Sequence, residues 1–322
     1  MRTITIEEHC ASPGYLEGAG RHLQGHATHF TGLGAGLLDQ LRDVDERRLS
    51  EMDAAGIDMQ VLSLTSPGAE QLTGSEAETV ARDANDFIAA AVARHPNRFA
   101  GFGTIPVASP HTAADELERL VARGFKGVMI NGHARGRYLD DQAFWPILER
   151  AQSLNVPIYL HPTEPPRGVV ETWYQGFSPG VSYLLANAGW GWHIETAVHV
   201  IRMILGGVFD RFPRLQVIVG HLGEGLPFMI RRLDIMPPAL TRLERPVSAY
   251  LRDHIHYTIS GFNFAATFLD LLLEVGVDRI MFSADYPYAS MHAARAFLDQ
   301  LPVSPADRER IAHTNAERLL AL

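Results

Sequence analysis

Apolar runs of strand length alternate with longer amphipathic stretches along nearly the whole chain, and this alternation restricts the fold more than any other feature. Strand candidates begin at Thr3, Met59, Phe99, Phe125, Val156, Leu215, Ile255 and Arg279. Between them the sequence predicts helices at Asp45–Ala55, stopped by Gly56, and from a Ser75-x-x-Glu78 capping box to about Arg94. Further helices are predicted at His111–Arg123 behind Ser109-Pro110, Gln142–Ser153, His193–Leu205, Gly225–Ile235 and Ala265–Val275. Met291–Gln300 and Pro305–Leu320 finish the chain. Alternation of this kind implies a parallel sheet, and eight units imply a closed (β/α)8, TIM-like barrel of the α/β class. A doubly wound open sheet is the alternative, but no G-x-G-x-x-G follows the first strand. Residues 1–322 therefore read as one barrel domain, with loop insertions at 11–45 and 162–191 over its mouth.

The chain has 322 residues, 46% of them hydrophobic, which is ample for a large core. Its formal charge of -9 and the lack of a basic stripe argue against a nucleic-acid partner. No basic n-region with a following apolar run opens the chain, and no apolar run reaches the ~18–20 residues that cross a bilayer. The single cysteine, Cys10, excludes an internal disulfide and fits a reducing, cytoplasmic setting; it reads as a small buried apolar residue.

Chemistry sits at the C-terminal ends of strands in such a barrel. The first strand ends Glu7-Glu8-His9, the fifth His161-Pro162, the sixth Gly220-His221 and the eighth Ser283-Ala284-Asp285. On a strand Thr3, Thr5, Glu7 and His9 share one face, and Ile4, Ile6 and Glu8 the other. Glu7 and His9 are thus a carboxylate and an imidazole on one side, which suits a divalent metal such as zinc or manganese. One such ending is unremarkable; four carrying metal-ligand chemistry should converge on one mouth. His22, His26 and His29 fall at i, i+4 and i+7, but glycines weaken a helix there, and the segment reads as an irregular loop over the mouth.

E-x-H on strand one, H-P after strand five, G-H-L-G-E-G-L-P-F after strand six and S-A-D-Y-P-Y after strand eight resemble the amidohydrolase superfamily. Within it they resemble the decarboxylase branch, which includes aminocarboxymuconate semialdehyde decarboxylase and the hydroxybenzoate decarboxylases. Glu195–His199 and Thr314–Leu319 look like the γ-resorcylate decarboxylases. The resemblance implies Glu7, His9, His161 and Asp285 as metal ligands. It makes His221 a catalytic or supporting imidazole, oriented by Glu224, and places Arg232 near the substrate. Many relatives have H-x-H on strand one; Glu7 hardens the site, so magnesium joins zinc and manganese as candidates. Hydrolytic members with two metals bridge them with a lysine at the end of strand four. Here that strand ends Met129-Ile130-Asn131, and the only lysine, Lys126, lies at its start. One metal per site is therefore expected.

The expected reaction is metal-dependent, non-oxidative decarboxylation of a small aromatic carboxylate such as a hydroxybenzoate. The resemblance points to Asp285 as proton donor, supported by His221 and Glu224. A metal lowers a carboxyl's pKa, so His221 competes for that role. Tyr286, Tyr288, Phe262, Asn263 and Phe264 are candidates to wall the pocket, and Trp190, Trp192 and His193 to line its mouth or a subunit contact. A mononuclear hydrolase such as a lactonase, or a hydratase of a ring-cleavage product, is the rival activity; a barrel without chemistry is the third reading. The resemblance also implies a homo-dimer or homo-tetramer.

Overall fold

Short runs rich in Val, Ile, Leu and Tyr form strands here because both of their faces are covered, one by the barrel interior and one by helices. The computed structural model describes residues 1–21, 23 and 36–322. Among them lie eight strands: β1 (Ile4–Cys10), β2 (Met59–Leu64), β3 (Phe99–Gly101), β4 (Val128–Asn131), β5 (Ile158–His161), β6 (Val217–Val219), β7 (Ile255–Thr258) and β8 (Ile280–Met281). All pair in parallel, as β1-β2-β3 and β4-β5-β6-β7-β8. Single bridges join the two groups. Met129 N–H donates to the Gly103 carbonyl at 3.0 Å on one side, and His9 N–H to the Tyr286 carbonyl at 2.7 Å on the other. The ring is thereby closed, as the alternation implied.

The main crossover helices are α1 (Glu46–Ala55), α2 (Gly74–Arg94), α3 (Pro110–Ala122), α4 (Trp145–Leu154), α5 (Gly191–Leu205), α6 (Leu226–Leu233), α7 (Ala265–Val275) and α8 (Met291–Gln300). Their buried faces meet the outward side chains of the strands, such as Leu62, Ile130, Leu160 and Val219, in one large core. Each fully buried aliphatic side chain of this kind contributes about 1.5–3 kcal/mol. A second, smaller cluster fills the barrel from within: Ile4, Ile6, Val61, Phe102, Met129, Tyr159, Ile218 and Met281.

Several expectations need correction. Ile4 and Ile6 point inward, and Thr3 points outward to the Gly56 carbonyl at the end of α1. The pairing of β1 with β2 slips by one residue between Thr5 and Glu8, a β-bulge that turns both Ile6 and Glu7 inward. Glu7 and His9 do share the interior side, but the bulge puts them there rather than unbroken alternation from Thr3. Strands 6 and 8 stop before His221 and Asp285, which sit in turns. The Ser75-x-x-Glu78 box does not form; α2 starts behind Thr73 without a side-chain cap. Pro110 does open α3, though Ser109 makes no capping bond. The stretch 11–45 contains short helices at Pro13–Glu17, capped by Ser12, and at Leu37–Arg42. The stretch 162–191 contains a helix at Pro179–Ala186 and a π-helical turn at Val170–Tyr174. His22, His26 and His29 lie outside the described residues. Among the described residues no helix is long and apolar enough to cross a membrane.

Candidate metal centre at the barrel mouth

β1 and β5 deliver Glu7, His9 and His161 from extended backbone. The turns after β6 and β8 deliver His221 and Asp285 from backbone that L-residues rarely adopt: φ is 50° at His221, 55° at Leu222, 57° at Glu224 and 64° at Asp285. Gly223 (φ 90°) and Gly225 (φ 80°) make the whole turn 221–225 left-handed. Ser260, after β7, joins them at φ 40°. Such conformations cost roughly 1–3 kcal/mol each and persist where the surroundings over-determine them, as at functional sites. Gly220 is required for a second reason: a Cβ there would stand 2.4 Å from Glu7 Oε2.

One donor atom from each of Glu7, His9, His161 and Asp285 lies within 4.8 Å of the others. The two oxygens of Glu7 are treated differently. Oε2 accepts hydrogen bonds from the hydroxyls of Tyr159, Ser260 and Thr258. Oε1 is buried and has no hydrogen-bond partner. It lies 3.3 Å from His161 Nε2, 3.7 Å from His221 Nε2 and 3.9 Å from His9 Nε2. His161 donates Nδ1–H to the Pro162 carbonyl at 2.8 Å, which leaves the Nε2 lone pair facing the site. His9 Nε2 is buried without a hydrogen bond although Asp285 Oδ1 is 3.2 Å away. Unpartnered buried lone pairs on a carboxylate and an imidazole, gathered on one point, fit a divalent cation; hydrogen bonding alone would leave them unsatisfied.

A second group lies against the first. Glu224 accepts from His221 Nδ1 at 2.7 Å with one oxygen and from His193 Nδ1 at 2.5 Å with the other. Trp192 Nε1–H donates to His193 Nε2 at 3.0 Å. Burial opposes the charge on Glu224, but the two imidazoles outweigh it and hold its pKa at about 2. Burial likewise opposes charge on His221, yet Glu224 and Glu7 raise its pKa well above the ordinary imidazole value. Glu7 is held below the usual carboxylate range because His221, His161 and His9 outweigh its burial. His9 moves down, chiefly through burial.

Glu8 faces away, as expected. It accepts from the backbone N–H of Ala284 at 2.9 Å and from Gln60 Nε2 at 3.0 Å, tying β1 to β8 and β2. Burial pushes its pKa to about 8 despite the Ala284 bond. Behind His9, the fully buried Arg48 donates to the His9 carbonyl at 2.5 Å and lies over the Tyr286 ring at 4.6 Å.

The centre opens into a cavity of about 700 Å³, reached by His161, His193, His221 and Asp285. Phe262 and Tyr288 wall it: the Phe262 ring stands 5.1 Å from that of His221, and Tyr288 5.4 Å from that of His9. Trp192 lines it too, whereas Trp190 and Phe264 are exposed and Tyr286 is buried away from it. Arg232 is not brought into the cavity by this chain; it lies exposed on α6. Lys126 donates to the Ala321 carbonyl at 2.8 Å near the start of β4, away from the mouth. The sequence reading missed Tyr159, Thr258 and Ser260 as supports of Glu7, and His193 as the partner of Glu224. Tyr159 was within reach of it, since it shares a strand face with His161 two residues on.

Fold and site together define a (β/α)8 barrel with a candidate metal site at its mouth. The chain belongs to the amidohydrolase family, whose model matches residues 26–322. A γ-resorcylate decarboxylase of Polaromonas is 37% identical over 89% of this chain and 90% of its own. The structure of a Polaromonas dihydroxybenzoic acid decarboxylase, with manganese and the inhibitor 2-nitroresorcinol bound, superposes with a TM-score of 0.88 at 34% identity, covering 100% of this chain and 97% of the other. That of 5-carboxyvanillate decarboxylase from Sphingomonas paucimobilis gives 0.91 at 33% identity, covering 100% and 99%.

Proposed function

We propose that this chain is a metal-dependent, non-oxidative decarboxylase of a hydroxylated aromatic carboxylic acid such as a hydroxybenzoate. The observation that carries the reading is the split role of Glu7, one oxygen held by three hydroxyls and the other bare among imidazoles. Glu7, His9, His161 and Asp285 would hold one divalent ion. Two carboxylates and two imidazoles suit manganese or zinc, and magnesium less well. When bound, the metal supplies Lewis acidity and a fixed point for the substrate's carboxylate and neighbouring phenolic oxygen.

The residues of the chain supply the rest. Of the two proposed ligands that line the cavity, Asp285 is the more open, at 15% side-chain exposure against 5% for His161. It holds the proton for the ring carbon that bears the carboxylate. His221, kept protonated by Glu224, has Nε2 3.8 Å from Asp285 Oδ2 and resupplies that proton. Once the ring carbon is protonated, its bond to the carboxylate breaks, the electron pair returns to the ring, and CO2 leaves. Phe262 and Tyr288 hold the ring's faces and keep water out. Residues 1–322 act as one domain. We also propose self-association as a dimer or tetramer: Phe228, Ile235, Leu240 and Leu273 are 64–83% exposed around α6 and α7, and Arg232 lies in that patch.

The test is a panel of hydroxybenzoates incubated with manganese-supplemented protein, with CO2 and the phenol followed together. Equimolar release of the two from at least one acid is expected. Release from none, with hydrolysis of a lactone instead, would select the rival hydrolase.

A further inference from the structure

The end of the barrel opposite the mouth is finished with polar side chains. Gln216, His256 and Arg279 each stand two residues before a side chain that points into the barrel, Ile218, Thr258 and Met281. By that alternation they form the lowest layer of the interior. They line a cavity of about 440 Å³ among the segments that lead into β5, β6, β7 and β8. Arg279 Nη1 donates to Gln216 Oε1 at 3.0 Å and to His256 Nε2 at 3.1 Å. Burial, then Arg279 and Arg318, hold the His256 imidazole at about 3, so it accepts that bond as a neutral ring.

Two more arginines reach the same cavity, Arg214 just before β6 and Arg318 on the last helix, Asn315–Leu320. Arg318 Nη2 donates to the Asp278 carbonyl at 2.9 Å and to Asn315 Oδ1 at 3.0 Å, both uncharged acceptors. Among the described residues the Arg214 guanidinium has no partner; only its backbone N–H is bonded, to Gln152 Oε1 at 2.9 Å. None of the three is ion-paired with a described carboxylate. Asp253 is held by Arg245 at 2.5 Å, and Asp278, the one acid lining the cavity, stands 3.8 Å from Arg310. Arg279 feels the result: burial pushes its pKa down, Arg318 adds to the push, and Asp253 and Asp278 offset it only in part. Three guanidiniums against one carboxylate leave the cavity positive in a chain whose formal charge is -9. Like charges gathered in a half-buried space repel, and an anion seated between them removes that cost.

We propose that this cavity is a binding site for a small phosphate-type oxyanion, held by Arg214, Arg279 and Arg318. A phosphate group carries a charge of about -1.5 to -2 at pH 7 and offers oxygens to several guanidinium forks at once. That matches three arginines offset by one aspartate. The site stands at the far end of the barrel from Glu7, His9, His161 and Asp285, so it does not depend on the decarboxylase reading.

The test titrates the full chain with sodium phosphate and, separately, with sodium acetate by calorimetry, at one ionic strength set with NaCl. One phosphate per chain is expected, with acetate at least about tenfold weaker. Arg214→Gln removes a guanidinium that holds nothing else and should weaken phosphate at least about tenfold. Arg214→Gln combined with Arg318→Gln should weaken it by about a hundredfold or more. Melting curves give a second readout: phosphate should raise the Tm of the wild type more than that of Arg214→Gln. General salting-out by phosphate would raise both alike and would count against the site. No phosphate binding by the wild type, equal phosphate affinity in Arg214→Gln, or acetate bound as tightly as phosphate overturns the proposal.

Discussion

The two halves of the mouth are built differently. β1 and β5 place their donors on extended backbone: His9 pairs with Ser63 and His161 with Asn131, while Glu7 sits in the β1 bulge. The turns after β6 and β8 place His221, Glu224 and Asp285 at positive φ, beyond the last ladder pair. The first half is a platform of paired strands, with Glu7 further held through Oε2 by the hydroxyls of Tyr159, Ser260 and Thr258. The second half carries the strain, and its residues are the ones to which the proposed mechanism gives the proton. Under the proposed mechanism, metal-holding falls mainly on the strands and proton-handling on the left-handed turns, with Asp285 belonging to both.

That contrast can be broken by substitution. Asp285→Asn keeps shape and one donor oxygen but removes the proton carrier. Turnover of the best hydroxybenzoate should fall by about 10³-fold or more, with bound metal checked by elemental analysis. Metal retained with activity intact would move the acid role to His221.

On the platform side, Gly220→Ala would drive a Cβ to 2.4 Å from Glu7 Oε2 and push the carboxylate off its hydroxyls. Divalent affinity should drop by about 100-fold with the fold preserved, read by metal titration and circular dichroism. Tyr159→Phe is milder: it removes one hydroxyl from Oε2 and should weaken metal binding by about tenfold. If Tyr159→Phe outweighs Gly220→Ala, the platform is less rigid than the ladder suggests.

The smallest effect concerns pH and lies beside the mouth. Glu70 is fully buried, accepts from Asn131 N–H at 2.9 Å, and has its pKa raised by burial to about 7 despite that bond. Its folded value exceeds the ordinary 4.5, so its favourable contribution is complete below about pH 4.5 and is lost as pH rises through about 7. Glu70→Gln should flatten the fall in melting temperature between those values, while wild type and variant diverge as pH is raised.

Much of this was legible beforehand. The alternation gave eight strands in order, and the strand-end histidines and aspartate pointed to one mouth. What the sequence could not signal was the bulge: nothing in Thr5-Ile6-Glu7-Glu8 marks an extra residue, because Ile6 and Glu7 each suit an inward position. The runs that lead to His221 and Asp285 continue past the last ladder bond into left-handed turns, so periodicity overextends both strands. Periodicity of two would have found Tyr159 from His161. Only resemblance points to Arg232, and a helix position by itself does not say which surface a long side chain faces.

The central claim is that Glu7, His9, His161 and Asp285 meet on a single divalent ion. Titrating metal-stripped protein with manganese by calorimetry, beside Glu7→Gln, tests it most directly. One ion per chain is expected for the wild type, with affinity reduced by at least about 100-fold in Glu7→Gln. No binding by the wild type, or equal binding by the two proteins, would contradict it.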